Sequence, residues 1–330
     1  MISRIFKNND QLLLFSIPLC ALIISVFSLF AVQPQAEPFH NSVVLPFLLA
    51  GIQQAWILKL INFTCLLVGA FLVYYLTAYC ELSDKQNFIP SFVYLLLGAT
   101  LNNESVLHPL LIANILLLFM FILFSTTYRS DNALSAVFDA SFLLSLASLV
   151  YFPLLFFFPL CFIGVLLYKT FNLREWILIA TGLVLPYFIA FIIFWLLGYG
   201  PGFWQNKWEA AFLPFHSPVF PKGSFLINTI VILLLLMTAI YTIMHGVGGK
   251  IKEKKGKYFL LWFFVTGLPL AFIVPDSPVF LGIVLIIPCS IFIGDYLGKI
   301  KKPGIADFLL LLFITAFVFS RLQSSGFFSV

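Results

Sequence analysis

The feature that most constrains this chain is a series of apolar runs, each long enough for a membrane-spanning helix, separated by short polar links. The run "WILIATGLVLPYFIAFIIFWLLG" at 176–198 is one example. A span needs about 20 apolar residues, and in lipid the backbone groups must bond within a helix. With 62% hydrophobic and 9% charged residues, the chain cannot fold around one water-soluble core. The sequence therefore predicts an all-α polytopic transmembrane helical bundle.

Eleven candidate spans follow from the positions of the polar clusters. They are 12–32, 56–79, 88–101, 110–127, 136–151, 153–168, 176–198, 225–245, 258–274, 279–297 and 305–320. The third, fifth and sixth are short, so each either crosses fully or forms a re-entrant segment. We interpret 1–330 as a single integral membrane domain. Residues 1–198 form a first module of seven spans, and 199–330 form an outer loop followed by four C-terminal spans.

The placement of Lys and Arg predicts the orientation, because cytoplasmic links carry an excess of basic residues. With a cytoplasmic N-terminus, all but four of the 18 Lys and Arg residues lie in cytoplasmic segments. The exceptions are Lys59, Lys207, Lys222 and Arg321. Arg129 and Lys169 share that side only if the chain reverses near Tyr151, Phe152 and Pro153. Eleven spans then place the C-terminus on the extracytoplasmic side.

The charge pattern also bears on partners and location. The net charge of +5 reflects membrane topology, so it gives no reason to expect a nucleic-acid partner. The basic run "KIKEKKGK" at 250–257 indicates a topogenic signal that attracts anionic lipids. The expected partner is the lipid bilayer, and the expected location is the inner (plasma) membrane, with several passes. Protein partners are unknown from the sequence.

The first outer loop carries a candidate catalytic acid. The segment "QPQAEPFHN" at 33–41 contains Glu37, which is the only acid of this loop, and His40. One interpretation is a loop carboxylate that is simply solvated. The other is a general base at the outer membrane surface.

The second outer loop, "LNNESVLHP" at 101–109, contains Asn103, Glu104 and His108. Asn, Glu and Ser are common at the start of a helix, and Pro109 suits a first turn. This capping interpretation leaves His108 without a role. The functional alternative brings Glu37, Glu104 and the two imidazoles together on the outer side, where they act as a general base or hold a divalent metal beside a phosphate.

The longest outer loop, at 199–224, combines aromatic and basic residues. Trp and Phe at this position are typical of an interfacial helix, expected near 203–212. The functional alternative is that Lys207, His216 and Lys222 bind a lipid-linked phosphate while the aromatic rings hold its chain.

These segments together resemble the GT-C superfamily of polytopic, lipid-dependent glycosyltransferases. The segment "QPQAEPFH" occupies the place of the first outer loop, "LNNESVLHP" that of the second, and the spans up to residue 198 follow in a similar order. The resemblance covers roughly residues 1–198. The chain also resembles, in general style, polytopic envelope proteins of Bacteroidota, which implies no function.

The resemblance implies an envelope enzyme that takes a sugar from a polyprenyl phosphate at the extracytoplasmic face. Glu37 would be the base, and Glu104 would bind a metal or the acceptor. His40, Asn103, His108, Lys207, His216 and Lys222 would contact substrate. Two alternatives remain open: a non-catalytic scaffold or assembly subunit of an envelope complex, and a lipid flippase or transporter.

Overall fold

The computed structural model of the protein describes residues 42–49, 54–82, 87–101, 107–128, 133–169, 172–212, 251–273 and 277–299, with single helical positions at 304, 307, 311 and 315. The candidate spans at 12–32 and 225–245 lie outside the described residues.

All regular structure in this part of the chain is helical. In chain order the elements are α1 Leu45–Leu48, α2 Ala55–Tyr79, α3 Ile89–Leu101, α4 Pro109–Thr126, α5 Leu134–Val150, a 3-10 helix Phe152–Phe157, α6 Phe158–Tyr168, α7 Leu173–Leu196, α8 Pro201–Phe212, α9 Ile251–Ile273 and α10 Ser277–Lys299.

Three of the described helices are long and apolar enough to cross a membrane. They are Trp56–Tyr79 within α2, Pro109–Thr126 and Leu173–Leu196, with 24, 18 and 24 residues. Shorter apolar helices occur at Ile89–Gly98, Leu134–Val150 and Phe152–Tyr168. For the described residues, the prediction of a helical structure with helices able to cross a membrane is therefore confirmed. The count of eleven spans and the sides of the two termini stay predictions.

Helix α4 lies at the centre of the described bundle and packs against α2 and α5. Helix α3 packs between α2 and α10, while α9 contacts α6 and α10. Helix α7 contacts α5 along one narrow stripe and otherwise exposes apolar side chains such as Val184 and Phe188. A helix that is apolar on its exposed faces suits contact with lipid chains.

Small and hydroxylated residues hold α7 against α5. The Ser145 hydroxyl donates to the Leu183 carbonyl at 2.7 Å, and the hydroxyls of Ser148 and Tyr187 bond to each other at 2.8 Å. At Gly182 an added Cβ would lie 2.9 Å from a backbone oxygen of α5, so a side chain is excluded there. In lipid, where burial of apolar surface gives no preference between helices, such close approaches and hydrogen bonds determine which helices associate.

The chain reverses at Tyr151, where the charge pattern predicted a turn. Tyr151 is extended, and the 3-10 helix that follows begins with Phe152 and Pro153. The ring of Tyr128, just after α4, has its centre 5.1 Å from Lys255 Nζ. The carbonyl of Tyr168, the last residue of α6, lies 3.5 Å from the same atom. Because α4 and α6 end at the same place, α5 and the segment 152–168 run in opposite directions.

Contacts between the helix ends divide the described bundle into two ends, which we name by the side chains that they contain. The charged end contains residues 79–82, 126–128, 168–169, 251–257 and 294–299. The aromatic end contains residues 42–48, 107–109, 149–152 and 194–207. At the charged end Lys252 donates to the carbonyl of Tyr79 at 2.8 Å, which joins the start of α9 to the end of α2.

Candidate functional site

Two of the eight residues proposed from the sequence as site residues are described, and both lie at the aromatic end. These are His108 and Lys207. The remaining six lie outside the described residues: Glu37, His40, Asn103, Glu104, His216 and Lys222.

Residues 42–48, in the middle of the first outer loop, dock at the aromatic end. The N–H of Val43 donates to the carbonyl of Leu149 at 3.1 Å. The Ser42 hydroxyl accepts from the N–H of Leu45 at 3.1 Å and so begins the short helix α1. Ser42 and Val43 are both fully buried. Since Ser42 follows His40 by two residues, this part of the first loop lies at this end of the bundle.

His108 is the N-cap of α4. Its Nδ1 accepts from the N–H of Leu110 at 3.2 Å, and Pro109 occupies the first turn as predicted. The interpretation that capping leaves His108 without a role is therefore wrong. An accepting Nδ1 must carry no proton. Burial lowers the pKa of His108 to about 4, which favours the neutral ring near pH 7.

The first and second outer loops dock on the same turn. The His108 ring lies 5.9 Å from the ring of Tyr151, centre to centre. Val43 is bonded to Leu149, which is two residues before Tyr151. Val43 in the first loop and His108 in the second are thus anchored where α5 ends. The sequence predicted that these loops share one side, and this anchoring agrees with that prediction.

Lys207 links α8 to the first loop. Its Nζ donates to the carbonyl of Ser42 at 2.8 Å and lies 5.9 Å from the centre of the Phe203 ring. Burial lowers the pKa of Lys207. The helix expected near 203–212 is confirmed as α8, with Gln205 and Glu209 exposed. The amine therefore positions this part of the first loop and also adds positive charge at the aromatic end.

Aromatic rings pack around Phe194 at this end. The ring centre of Phe194 lies 4.9 Å from those of Phe47 and Phe203, 5.9 Å from that of Tyr199 and 6.0 Å from that of Trp204. These rings come from α1, α7, α8 and the link between the last two. Aromatic rings next to an amine suit the boundary between headgroups and acyl chains, where one side of the group is apolar and the other is hydrated.

A divalent metal was considered from the sequence. Within the described ranges, no group of three or more His, Cys, Asp or Glu side chains is placed to hold a metal ion. Glu37, His40 and Glu104 lie outside those ranges, so metal binding by them stays a prediction.

Sequence reasoning missed a group of buried charges at the charged end. Glu253, Lys257 and Asp295 are 5%, 7% and 1% exposed. The signal was present, because Asp295 lies inside the apolar run 281–299 and an acid in such a run is a functional hypothesis by default. The interpretation of 250–257 as a topogenic signal alone is therefore incomplete.

Comparison with known proteins gives one family. No curated protein and no solved structure matches the chain. A family model described as "Family of unknown function (DUF6427)" matches residues 39–325. The match begins two residues after Glu37 and includes the other candidate site residues. Because it covers most of the 330 residues, the chain belongs to this family of unknown function, DUF6427.

Proposed function

We propose that the protein is a multi-pass inner-membrane protein of the cell envelope, with the charged end in the cytoplasm and the aromatic end outside. The support is the separation of residue types between the two ends. Lys169, Lys252, Lys255 and Lys299 meet at one end, which fits the excess of basic residues on the cytoplasmic side. With eleven spans, the N-terminus is cytoplasmic and the C-terminus extracytoplasmic.

Reporter fusions test this orientation. Fusions after Arg129, Lys169 and Lys255 should report the cytoplasm, and fusions after Asn103 and at the C-terminus should report the extracytoplasmic side. A cytoplasmic C-terminus would rule out the odd number of spans. Opposite sides for Arg129 and Lys169 would rule out the reversal at Tyr151 within the membrane.

For the activity, we propose a glycosyltransferase-like reaction at the aromatic end, with a polyprenyl-phosphate-linked sugar as donor. The observation that supports it is the docking of both acidic loops on one turn. Val43 is hydrogen-bonded to Leu149, and His108 lies against Tyr151. A general base and a second carboxylate act on one reacting centre only if the loops that carry them are anchored close together.

The proposed roles follow from the chemistry of each side chain. Glu37 removes a proton from the acceptor hydroxyl as it attacks the sugar, and Glu104 holds the acceptor or a divalent metal. Lys207, with His216 and Lys222, neutralises the phosphate that leaves. The rings around Phe194 would pack against the first isoprene units of the donor.

Isosteric substitutions test the two acids. Glu37→Gln and Glu104→Gln should each leave the protein folded and lower the transfer rate by about 100-fold or more if the acid is a general base. Glu209→Gln is the matched control, since Glu209 is an exposed acid of α8 that accepts a hydrogen bond from Gln205 on the same helix. Unchanged cellular phenotypes for both loop variants would remove the enzyme proposal.

The distance between the two acids gives an independent test. Spin labels at positions 37 and 104 should report a separation of about 10 Å, broadened by the label arms, because both groups must reach one centre. A separation on the scale of the whole bundle, about 30 Å, would contradict the proposal whatever the phenotype.

A non-catalytic scaffold subunit is the second candidate, and a specific observation favours it. The two described candidate residues both serve the protein's own structure: His108 caps α4, and Lys207 binds the Ser42 carbonyl. Mass spectrometry of lipid retained by the purified protein separates the candidates. The enzyme should carry a polyprenyl phosphate that is reduced in Lys207→Gln, whereas a scaffold should carry only bulk phospholipid.

A further inference from the structure

Four charged side chains meet between α9 and α10 at the charged end. Lys257 Nζ lies 2.6 Å from Glu253 Oε1 and 2.8 Å from Asp295 Oδ2. Lys299 Nζ lies 3.1 Å from the same Asp295 oxygen and 3.5 Å from the same Glu253 oxygen. Each ammonium therefore faces both carboxylates. We refer to these residues as the four-charge cluster.

The same end of α9 also binds the ends of helices in the first module. Lys252 donates to the last carbonyl of α2, that of Tyr79, and its Nζ lies 4.1 Å from the centre of the Tyr79 ring. Lys255 reaches the last residue of α6, Tyr168, and the ring of Tyr128 after α4. Helix C-termini carry partial negative charge, so lysines are favoured there. One turn of α9 thus contacts three helices of the first module.

Stability alone does not account for the four-charge cluster. Asp295 is 1% exposed, and its Oδ1 has no hydrogen-bond partner among the described residues. Removing such charges from water costs free energy that the ion pairs largely offset, and apolar side chains of similar size are often as stable or more stable. A buried cluster of this kind is best attested as a device that specifies one packing arrangement among several.

Helices α9 and α10 need such a device. Most of each helix consists of apolar residues, and between apolar helices in lipid no hydrophobic effect favours one register over a register shifted by a turn. The charged residues lie in the first turns of α9 and the last turn of α10, so they pair in only one register. We propose that the four-charge cluster, with Lys252 and Lys255, sets the register of the C-terminal helix pair and its position on the first module.

Close contacts with the first module show what this register brings together. An added Cβ at Gly256 would lie 2.6 Å from Leu82 Cδ2, and one at Gly298 would lie 2.5 Å from Asn87 Nδ2. Asn87 also donates to the carbonyl of Gly294 at 3.3 Å. A shift of α9 by one turn would replace Gly256 by Lys252 or Leu260 at the contact with Leu82, so a cross-link between positions 82 and 256 reports the register of α9.

Cysteine cross-linking in a variant lacking the native cysteines measures the register. Leu82→Cys with Gly256→Cys should cross-link efficiently in the membrane, whereas Leu82→Cys with Leu260→Cys, one turn further, should not. Leu66→Cys with Gly98→Cys is the control pair, because Gly98 packs on Leu66 within the first module. The control should cross-link in every variant that keeps the first module folded.

The cluster is then changed in three ways. Lys257→Met should lower the 82–256 cross-link by about tenfold, because it leaves two buried carboxylates with one ammonium between them. A fourfold apolar variant (Glu253→Leu, Lys257→Met, Asp295→Leu and Lys299→Met) removes every charge together and should stay folded while cross-linking at both 256 and 260. Reversal of all four charges (Glu253→Lys, Lys257→Glu, Asp295→Lys and Lys299→Asp) keeps every opposite-charge pair and should therefore keep the single register.

Two results would overturn the proposal. One is a fourfold apolar variant that cross-links at 256 alone with unchanged efficiency, since the apolar faces would then specify the register. The other is a Lys257→Met variant with an unchanged 82–256 cross-link. If Lys257→Met also loses the control cross-link, the fourfold variant decides the matter, because it leaves no unpaired charge.

Discussion

At the aromatic end, rings from α1, α7 and α8 pack around Phe194, and one half-buried lysine bonds to a backbone carbonyl. At the charged end, two lysines and two acids share a buried cluster, and two further lysines donate to carbonyls at the ends of α2 and α6. The aromatic rings can shift relative to one another at little cost, because several ring orientations are similarly favourable. The buried charges cannot, because each ion needs its partner. The charged end therefore constrains the arrangement of the helices more strongly than the aromatic end does.

The largest expected effect is at the charged end. Lys257→Met should lower the free energy of unfolding by about 4 kcal/mol, because it leaves Glu253 and Asp295 with one ammonium between them in a buried site. Denaturant titration in detergent measures it. Arg174→Met is the matched control, since Arg174 is exposed at the start of α7 and its loss should cost under about 0.5 kcal/mol. If both substitutions lower the free energy of unfolding by a similarly small amount, the cluster is not buried between the helices as described.

The next largest loss of stability is expected at the aromatic end. Phe194→Ala should cost about 2 kcal/mol, because it removes ring contacts with Phe47, Phe203 and Trp204. Phe188→Ala on the same helix is the control, since Phe188 is 58% exposed and should cost far less. Thermal unfolding followed by tryptophan fluorescence compares the two. An equal cost for both would mean that the rings around Phe194 do not pack as described.

A lysine substitution at the aromatic end sharpens the comparison with Lys257. Lys207→Met should cost about 1 kcal/mol, because it loses a hydrogen bond to the Ser42 carbonyl but keeps the apolar stem over Phe203. The same titration measures it beside Lys257→Met. A loss as large as that of Lys257→Met would show that Lys207 also balances a buried acid.

The effect that vanishes at neutral pH concerns the His108 cap. The unfolded chain protonates His108 below about pH 6.5, whereas the folded protein does so only near the lowered pKa of about 4. Stability from the neutral cap is therefore complete above pH 6.5 and is lost as the pH falls towards 4. Asn also caps a helix but does not titrate, so His108→Asn should match the wild type at pH 7.5.

A pH series of unfolding measurements checks this last prediction. The wild type should lose stability relative to His108→Asn between pH 6.5 and 4. Parallel pH profiles for the two proteins would contradict the cap, because His108 would then titrate equally in both states.

Local patterns in the sequence predicted much of the fold. Apolar runs gave the positions of α2, α4 and α7, and the parity of the basic residues predicted the reversal at Tyr151. Both depend on properties of short segments, namely burial of the backbone in lipid and placement of positive charge. The candidate site was predicted only in part. The end at which His108 and Lys207 lie was expected from the charge pattern, but His108's role as a cap was missed, because histidine is not among the usual capping residues.

By itself, the sequence determined that the chain is helical, that it contains helices able to span a membrane, and roughly where they begin and end. Only the tertiary structure decided which ends of which helices meet. It paired Lys257 with Asp295, 38 residues away, and it anchored Val43 on Leu149 and His108 on Tyr151. The physical reason is that hydropathy acts on each segment alone, whereas pairing of ions and rings depends on which segments are neighbours. In lipid, where apolar faces do not discriminate among partners, these few polar and aromatic contacts decide the arrangement.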